Sequence, residues 1–146
     1  FFSDVALVSQ TLDATNPDLD AFRARGGKLL MTNSWGDMAI SPLGTIAYYE
    51  SVIKNDPAAA EDVRLILFPG ADHCGGGAGP WFVDFIDVID NWVETGEAPN
   101  QLEAFWMNEQ MQPDGSRTVC AYPKYLVYNG SGDPRQASSF SCINPN

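Results

Sequence analysis

The chain has 146 residues, of which 45% are hydrophobic, and this is enough to build the core of one ordinary globular domain. Its 8 basic and 19 acidic residues give a net charge of −11, which argues against binding to a nucleic-acid backbone or to an anionic membrane. No segment approaches the roughly 18 to 20 uninterrupted apolar residues of a membrane span. The first residues, Phe1-Phe2-Ser3-Asp4, contain neither a basic leader nor an initiator Met, so we expect an N-terminus that has been cut.

The first predicted elements are a short helix and a buried strand. Asn16-Pro17 is typical of a helix start, since Asn caps well and Pro fits the first turn, and Gly26-Gly27 is typical of its end. Leu19 and Phe22 would point inward from this helix. The run from Lys28 to Thr32 is almost continuously apolar and predicts a strand that is buried on both faces.

A second helix and a second strand follow. Ser41-Pro42 predicts a helix start, and the helical pattern continues to Lys54. Asp56-Pro57 ends this helix and opens one further turn. The segment from Val63 to Phe68, closed by Pro69-Gly70, predicts another buried strand.

From Pro80 to Glu94 the apolar residues recur at helical spacing, and Gly96 is the natural end. The predicted inward face consists of Phe82, Phe85, Ile86, Ile89 and Val93. The other face is acidic, with Asp84, Asp87, Asp90 and Glu94. This pattern indicates a solvated surface rather than a cation site, because calcium loops need closely spaced oxygen donors on a turn. Helices that alternate with two strands, without a hairpin signal, indicate parallel strands joined by crossover helices, which is an α/β fold.

Residues 100–146 differ in character from the rest of the chain. The alternating apolar residues from Leu102 to Trp106 predict an edge strand, Pro113-Asp114-Gly115 is typical of a turn, and the remainder has no long period. We expect an irregular tail that wraps the domain and is clipped by a disulfide between Cys120 and Cys142. The chain-entropy model gives such a loop about 3 kcal/mol of stabilisation.

Asp37 and His73, the only histidine, each follow a predicted parallel strand by a few residues. Because the carboxyl ends of parallel strands meet at one edge of a sheet, we expect the two side chains to lie close together. The carboxylate can then accept the ring N–H and leave the other ring nitrogen free to take a proton. The alternative is structural, with His73 bonded only within its loop and Asp37 capping a turn.

The order of acid and then histidine is that of the α/β-hydrolase triad, whose serine comes first. No Gly-x-Ser-x-Gly motif occurs in the 146 residues, so a nucleophilic serine would have to lie upstream. Trp35, close to Asp37, would either line a substrate pocket or pack in the fold. Gly75-Gly76-Gly77 lacks the spacing of a phosphate-binding loop.

The three cysteines, an odd number, allow several interpretations. Zinc needs three or four ligands at favourable spacing, which one histidine and scattered cysteines do not supply. A Cys–His dyad is disfavoured because adjacent side chains of an extended segment point apart. Cys74 is therefore interpreted as half of a disulfide, with a partner outside this chain if Cys120 and Cys142 pair together.

The expectation of a secreted protein rests on the cysteines and on a signal that would lie upstream. Disulfides persist in oxidising compartments. Asn129-Gly130-Ser131 is a candidate glycosylation site, which matters only in a eukaryotic secretory pathway.

Taken together, these motifs resemble the tannase and feruloyl esterase family of α/β-hydrolases. The resemblance extends over residues 4 to 125. It rests on Asn16-Pro17-Asp18-Leu19 with Phe22, Gly26-Gly27-Lys28-Leu29, Trp35-Gly36-Asp37 with Ser41-Pro42, the turn from Gly70 to Pro80, and the segment from Arg117 to Pro123. The His-Cys-Gly-Gly-Gly turn together with the tail cysteines is its most specific part.

The resemblance implies that residues 1–146 are the C-terminal segment of an α/β-hydrolase catalytic domain, with residues 100–146 as the tail that wraps it. It implies that Asp37 is the orienting acid and His73 the general base of a Ser-Asp-His triad. It pairs Cys74 with a cysteine beside the upstream serine, and it matches Cys120–Cys142 to a second disulfide. The serine, the oxyanion hole and an inserted lid with a structural calcium ion would lie upstream. The reaction itself would need no cofactor, and no metal site is expected in this chain.

The predicted function is that of a secreted serine esterase that hydrolyses carboxylic esters of aromatic acids, such as gallates or ferulates. Its partners would be the upstream segment and a small aromatic ester, with no nucleic acid and no membrane. An alternative is a non-catalytic protein that keeps the hydrolase fold for binding or as a scaffold, and an upstream serine preceded by cysteine would separate the two. A self-sufficient domain of 146 residues is disfavoured, because only two parallel strands are firmly predicted and one cysteine would stay unpaired.

Overall fold

The computed structural model describes residues 2–145. Within that range the helices are α1 (Phe2–Leu12), α2 (Asp20–Arg23), α3 (Pro42–Asn55) and α4 (Phe85–Thr95), with 3₁₀ helices at Pro57–Glu61 and Ala137–Ser139. The strands are β1 (Leu29–Ser34), β2 (Val63–Phe68), β3 (Gln101–Met107), β4 (Pro113–Cys120), β5 (Tyr125–Tyr128) and β6 (Phe140–Ile143). None of these helices is long and apolar enough to cross a membrane.

The strands β1 and β2 pair in parallel, and α3 forms the crossover between them. Leu29 lies opposite Val63 at the start of the pair, and Ser34 lies opposite Phe68 at its end. This confirms the parallel arrangement that the sequence predicts for these two strands. Their carboxyl ends therefore lie at the same edge of the sheet.

The apolar core lies on both faces of β2, because successive side chains of a strand point to opposite sides. The buried residues on the α3 side are Tyr49, Val52, Ala59, Val63 and Leu65. The buried residues on the other side are Ile66, Phe68, Ala71, Val83, Leu102, Ala104, Val119 and Ala121. Half of this second group comes from residues 100–146, so the tail completes the core rather than only covering it.

β1 is less buried than its sequence predicts. Leu29, Leu30 and Met31 are half-buried and Thr32 is exposed. The expectation of burial on both faces is wrong for this chain, because β2 is the only strand beside β1 in the part of the chain that the structure describes.

The first predicted helix is shorter than its motifs suggest. The Asn16 side chain accepts the backbone N–H of Asp18 at 3.0 Å, which is a local turn and not a helix cap. The helix α2 then begins only at Asp20. The helix α1, which precedes this region, was not predicted from the sequence.

The last helix also begins later than predicted. Asp84, assigned to the solvated face, instead caps α4 by accepting two backbone N–H groups at 3.2 Å each. The helix therefore starts at Phe85 rather than directly after Pro80. Four of the five residues predicted to face inward are exposed within the described chain: Phe82 and Phe85 at 37% each, Ile86 at 82% and Val93 at 56%.

The tail is more regular than predicted. The strands β3 and β4 form an antiparallel pair, as do β5 and β6. Pro113 and Gly115 lie inside β4 and not in a turn. The turn forms earlier, where the Asn108 side chain accepts two backbone N–H groups at 3.0 and 2.9 Å. The strand pairing is thus only partly parallel, and the expectation of an irregular tail is wrong.

A disulfide joins Cys120, at the end of β4, to Cys142 in β6, with 5.7 Å between the Cα atoms. It connects the β3–β4 pair to the β5–β6 pair. The tail is therefore held together covalently as well as by its hydrogen bonds.

Charged side chains form a network at the amino ends of β1 and β2. Asp62 accepts hydrogen bonds from Lys28 Nζ at 2.5 Å and from Arg23 Nε at 2.8 Å, and Arg23 also pairs with Asp56. Burial raises the pKa of Asp62, but the bonds from Lys28 and Arg23 outweigh it and hold this pKa below the ordinary 3.8. The pKa of Asp56 is lowered too, by the backbone N–H of Ala58 and then by Arg23.

This network predicts a pH-dependent contribution to stability. Since the folded pKa of Asp62 is lowered, its contribution is present above about pH 4 and is lost as the pH falls through the folded value. We expect Asp62→Asn to lower the free energy of unfolding at pH 7 by about 1.5–3 kcal/mol, with a smaller difference at pH 3. Urea titrations of the complete polypeptide at both pH values measure this. Asp90→Asn on the exposed face of α4 is the control, and an equal loss for Asp62→Asn at both pH values contradicts the prediction.

Candidate active site

Asp37 lies in the turn that leaves the carboxyl end of β1. Its Oδ1 accepts the backbone N–H groups of Ala39 and Ile40, both at 2.8 Å, so the carboxylate is fixed from one side. The N–H of Ile40, and after it the ring of His73, hold the pKa of Asp37 below its ordinary value of 3.8. The side chain is 8% exposed and carries a negative charge at neutral pH.

His73 lies in the glycine-rich loop that leaves the carboxyl end of β2. Its Nδ1 is 2.8 Å from Oδ2 of Asp37. An ionised carboxylate only accepts hydrogen bonds, so Nδ1 donates, and Nε2 keeps the lone pair that can take a proton. The His73 side chain is 50% exposed, and within residues 2–145 no group is bonded to Nε2. The pair has the geometry of a general base whose ring is oriented by an acid.

The two loops are joined beneath this pair by Ser34, the last residue of β1. Its hydroxyl donates to the backbone carbonyl of Ala71 in the histidine loop, and it accepts the N–H of Gly36 at 3.3 Å. The N–H of Trp35 donates to the carbonyl of Phe68 at 3.0 Å. Ser34 is buried and bonded in this way, so it is not placed to act as a nucleophile. This joining role of Ser34 could not be predicted from sequence, because no local pattern signals a contact between residues 37 positions apart.

Two glycines permit close backbone contacts at the site. A Cβ atom on Gly36 would lie 2.3 Å from the carbonyl oxygen of Ala71 in the other loop, and one on Gly79 would lie 1.7 Å from that of Pro69 within the histidine loop. Both distances are far inside the range of ordinary carbon–oxygen contacts. A side chain at position 36 would therefore push the two loops apart, and one at position 79 would force open the base of the histidine loop.

An open cleft of about 340 Å³ adjoins the Asp37–His73 pair. Its apolar lining includes Ile40, Phe68, Trp81 and Phe85. The cleft thus combines a proton acceptor with aromatic and aliphatic walls, a combination typical of binding sites for small organic molecules.

Trp35 does not line this cleft. Its side chain is 54% exposed and borders a separate cleft of about 240 Å³, together with Leu67, Tyr122 and Tyr125. The indole of Trp35 is therefore neither buried in the core nor part of the cleft beside His73, and a substrate-binding role for it stays a prediction.

Cys74 is exposed and forms no disulfide within the described chain. Its φ of 60° shows that the backbone turns sharply after His73, so the extended segment assumed in the sequence analysis is wrong. No hydrogen bond joins Cys74 to the ring of His73 among the described contacts. The disulfide to an upstream cysteine stays a prediction.

Asn129 is exposed at the end of the short strand β5. Its Nδ2 donates to the carbonyl of Ser138 at 3.3 Å, and its Oδ1 accepts the hydroxyl of Ser141 at 2.8 Å. Glycosylation at this position stays a prediction.

Among the described residues, no group of three or more His, Cys, Asp or Glu side chains could hold a metal ion. The calcium ion that the family resemblance assigns to a lid therefore finds no fitting donor set in this part of the chain.

The chain has the arrangement of the α/β-hydrolase fold, in which an acid follows one parallel strand and a histidine follows the next, with a crossover helix between the strands. Residues 2–143 match the family model for tannase and feruloyl esterase. The chain belongs to the tannase and feruloyl esterase family, and its relatives are carboxylic ester hydrolases.

Individual relatives support this assignment. The chain is 41% identical over 134 residues to mono(2-hydroxyethyl) terephthalate hydrolase from Piscinibacter sakaiensis, which covers 90% of this chain and 22% of the relative. It is 37% identical over 136 residues to a probable feruloyl esterase from Arthroderma benhamiae, which covers 88% of this chain and 25% of the relative.

A solved structure agrees with the sequence relatives. The fold superposes on tannin acyl hydrolase from Aspergillus niger with a TM-score of 0.80 and 27% identity, covering 98% of this chain and 27% of that one. The chain thus spans about a quarter of the length of these proteins.

Proposed function

We propose that this chain supplies the acid and the base of a Ser-Asp-His esterase, with the nucleophilic serine provided by polypeptide outside residues 1–146. The observation that carries the proposal is the 2.8 Å contact between Nδ1 of His73 and Oδ2 of Asp37 at one edge of a parallel strand pair. The absence of a Gly-x-Ser-x-Gly motif from the sequence is the reason to place the serine elsewhere.

The reaction is a two-step ester hydrolysis. The serine hydroxyl attacks the ester carbonyl carbon while its proton passes to Nε2 of His73, and Asp37 stabilises the resulting imidazolium. His73 then gives this proton to the departing alkoxide, so that an alcohol leaves and an acyl-serine remains. Water repeats the sequence, giving its proton to His73, and the carboxylic acid is released as the serine recovers its proton.

The proposed substrates are carboxylic esters of aromatic acids. The relatives reported above are named for terephthalate, feruloyl and tannin acyl substrates. The cleft beside His73 has Phe68, Trp81 and Phe85 along its wall, which suits an aromatic acyl group.

The complete enzyme would be a secreted protein with a second disulfide bond, which would lie at the active site. Cys74 follows His73 directly and is exposed, so it is accessible to a cysteine beside the serine. Such a bond would limit the drift between the base and the nucleophile. The Cys120–Cys142 bond is consistent with an oxidising compartment, as is the sequon at Asn129.

The proposal is tested with the complete polypeptide that contains this chain. We expect hydrolysis of ferulate, gallate and terephthalate esters. We expect a much slower reaction with the acetate ester of the same alcohol. An organophosphonate that attacks activated serines should label one serine in the wild type and none in His73→Ala, because the label needs the base. Binding of the aromatic esters without turnover or labelling would instead support the non-catalytic hydrolase-fold protein.

A further inference from the structure

The loop that carries His73 is closed upon itself at its base. The backbone N–H of Gly79 donates to the carbonyl of Gly70 at 2.8 Å, and Ala71 forms a bridge with Gly77. His73 lies at the far end of this loop and contacts Asp37 through its ring. These contacts shape the loop, but they do not by themselves hold the segment that leads out of it, residues 78–80, against the rest of the molecule.

The indole of Trp106 holds this segment in place. Nε1 of Trp106 donates to the backbone carbonyl of Ala78 at 2.9 Å. Trp106 belongs to β3, and its neighbour Phe105 exchanges backbone hydrogen bonds of 2.9 and 3.1 Å with Phe82, just beyond the loop. Two successive residues of β3 therefore anchor the segment that leaves His73, one through its side chain and one through its backbone.

The ring of Trp106 is itself fixed. The guanidinium of Arg117 lies 5.0 Å from the ring centroid and that of Arg135 lies 4.8 Å from it. Arg117 Nη2 donates to the carbonyl of Pro134 at 3.0 Å, and Arg135 Nη2 donates to Oδ2 of Asp114 at 3.0 Å. Both cations are thus held by the tail, and cation–π attraction from both of them holds the indole in place.

We propose that Trp106 is a positioning residue for His73, acting through the carbonyl of Ala78, and that residues 100–146 brace the histidine loop. The inference rests on the proposed function, since it assigns Trp106 to the reaction of the same site. Asp37 fixes the ring of His73, and Trp106 fixes the backbone on which that ring stands. Loss of the indole N–H would let the loop drift and would lower turnover more than substrate affinity.

The test compares two conservative variants of the complete polypeptide. Trp106→Phe keeps an aromatic ring for Arg117 and Arg135 but removes the N–H. Tyr128→Phe is the control, because it removes a donor to a backbone carbonyl, that of Gly132 at 2.7 Å, elsewhere in the tail. We expect Trp106→Phe to lower kcat by about 10- to 100-fold with KM within about twofold, and Tyr128→Phe to change neither.

Amide hydrogen exchange gives a second readout that does not depend on activity. We expect faster exchange at residues 75–79 in Trp106→Phe, with unchanged exchange in β1 and β2. A Trp106→Phe variant that keeps the wild-type kcat, or that loses protection equally throughout the chain, overturns the inference. Ester hydrolysis by the wild type would in that case still support the proposed function. A wild type that hydrolyses no ester overturns both.

Discussion

Replacing Asp37 with Asn in the complete polypeptide is expected to lower kcat by about 10⁴-fold without unfolding the protein. The Asn carbonyl oxygen can still accept the backbone N–H groups of Ala39 and Ile40, so the turn after β1 is retained. Its amide nitrogen, however, is a donor and faces Nδ1 of His73 in place of a carboxylate. The proton of the imidazole then moves to Nε2, where it blocks acceptance of the serine proton.

His73→Ala removes the base and is expected to reduce turnover to a similar extent. Asp90→Asn serves as the matched control for the lost charge, since Asp90 is exposed on α4 and does not line the cleft beside His73. Turnover is measured with an aromatic ester, and folding is measured by urea titration of each variant. Near-normal turnover in either site variant would remove these residues from the mechanism.

The pH dependence follows from the same contacts. The pKa of Asp37 lies below 3.8, because the Ile40 N–H and the His73 ring both favour the ionised form. Asp37 therefore stays charged throughout the neutral and mildly acidic range. A loss of kcat/KM on acidification within that range has to come from a group other than Asp37.

The parallel core could be predicted from sequence because its signals are local. The run from Val63 to Phe68 is continuous and closed by Pro69-Gly70, and it coincides with β2. Ser41-Pro42 likewise marks the start of α3. Once two strands flank a crossover helix, chain geometry alone brings Asp37 and His73 to one edge, and for that reason their proximity could be predicted.

The tail could not be predicted in the same way, because its structure depends on contacts that are distant in sequence. Pro113-Asp114-Gly115 has turn chemistry, yet it lies in β4 because Asn108 closes the turn first. The bond from Trp106 to Ala78 spans 28 residues and has no local pattern. In β1, the sequence correctly indicates a strand but overstates its burial, since burial depends on neighbours that residues 2–145 do not provide.

Gly36→Ala is expected to impair both folding and turnover, because it forces apart the loops that carry the acid and the base. The new Cβ would lie 2.3 Å from the carbonyl oxygen of Ala71, which already accepts the hydroxyl of Ser34. The preceding residue, Trp35, is bonded to Phe68, so the turn cannot swing away freely. Overpacking of this kind costs about 1–3 kcal/mol of stability. A shift near 1 Å at Asp37 would reduce kcat by about 100-fold.

Gly44→Ala separates this steric effect from the general effect of adding a methyl group. Gly44 lies in α3 with no atom within 4 Å of its Cβ position, and helix propensity favours Ala there by about 0.5–1 kcal/mol. We expect this control to be at least as stable as the wild type and equally active. Neither glycine has a positive φ, so backbone strain does not distinguish them, and the clash with Ala71 occurs only at position 36. If Gly36→Ala kept wild-type kcat, close contact between the two loops would not be what holds Asp37 against His73.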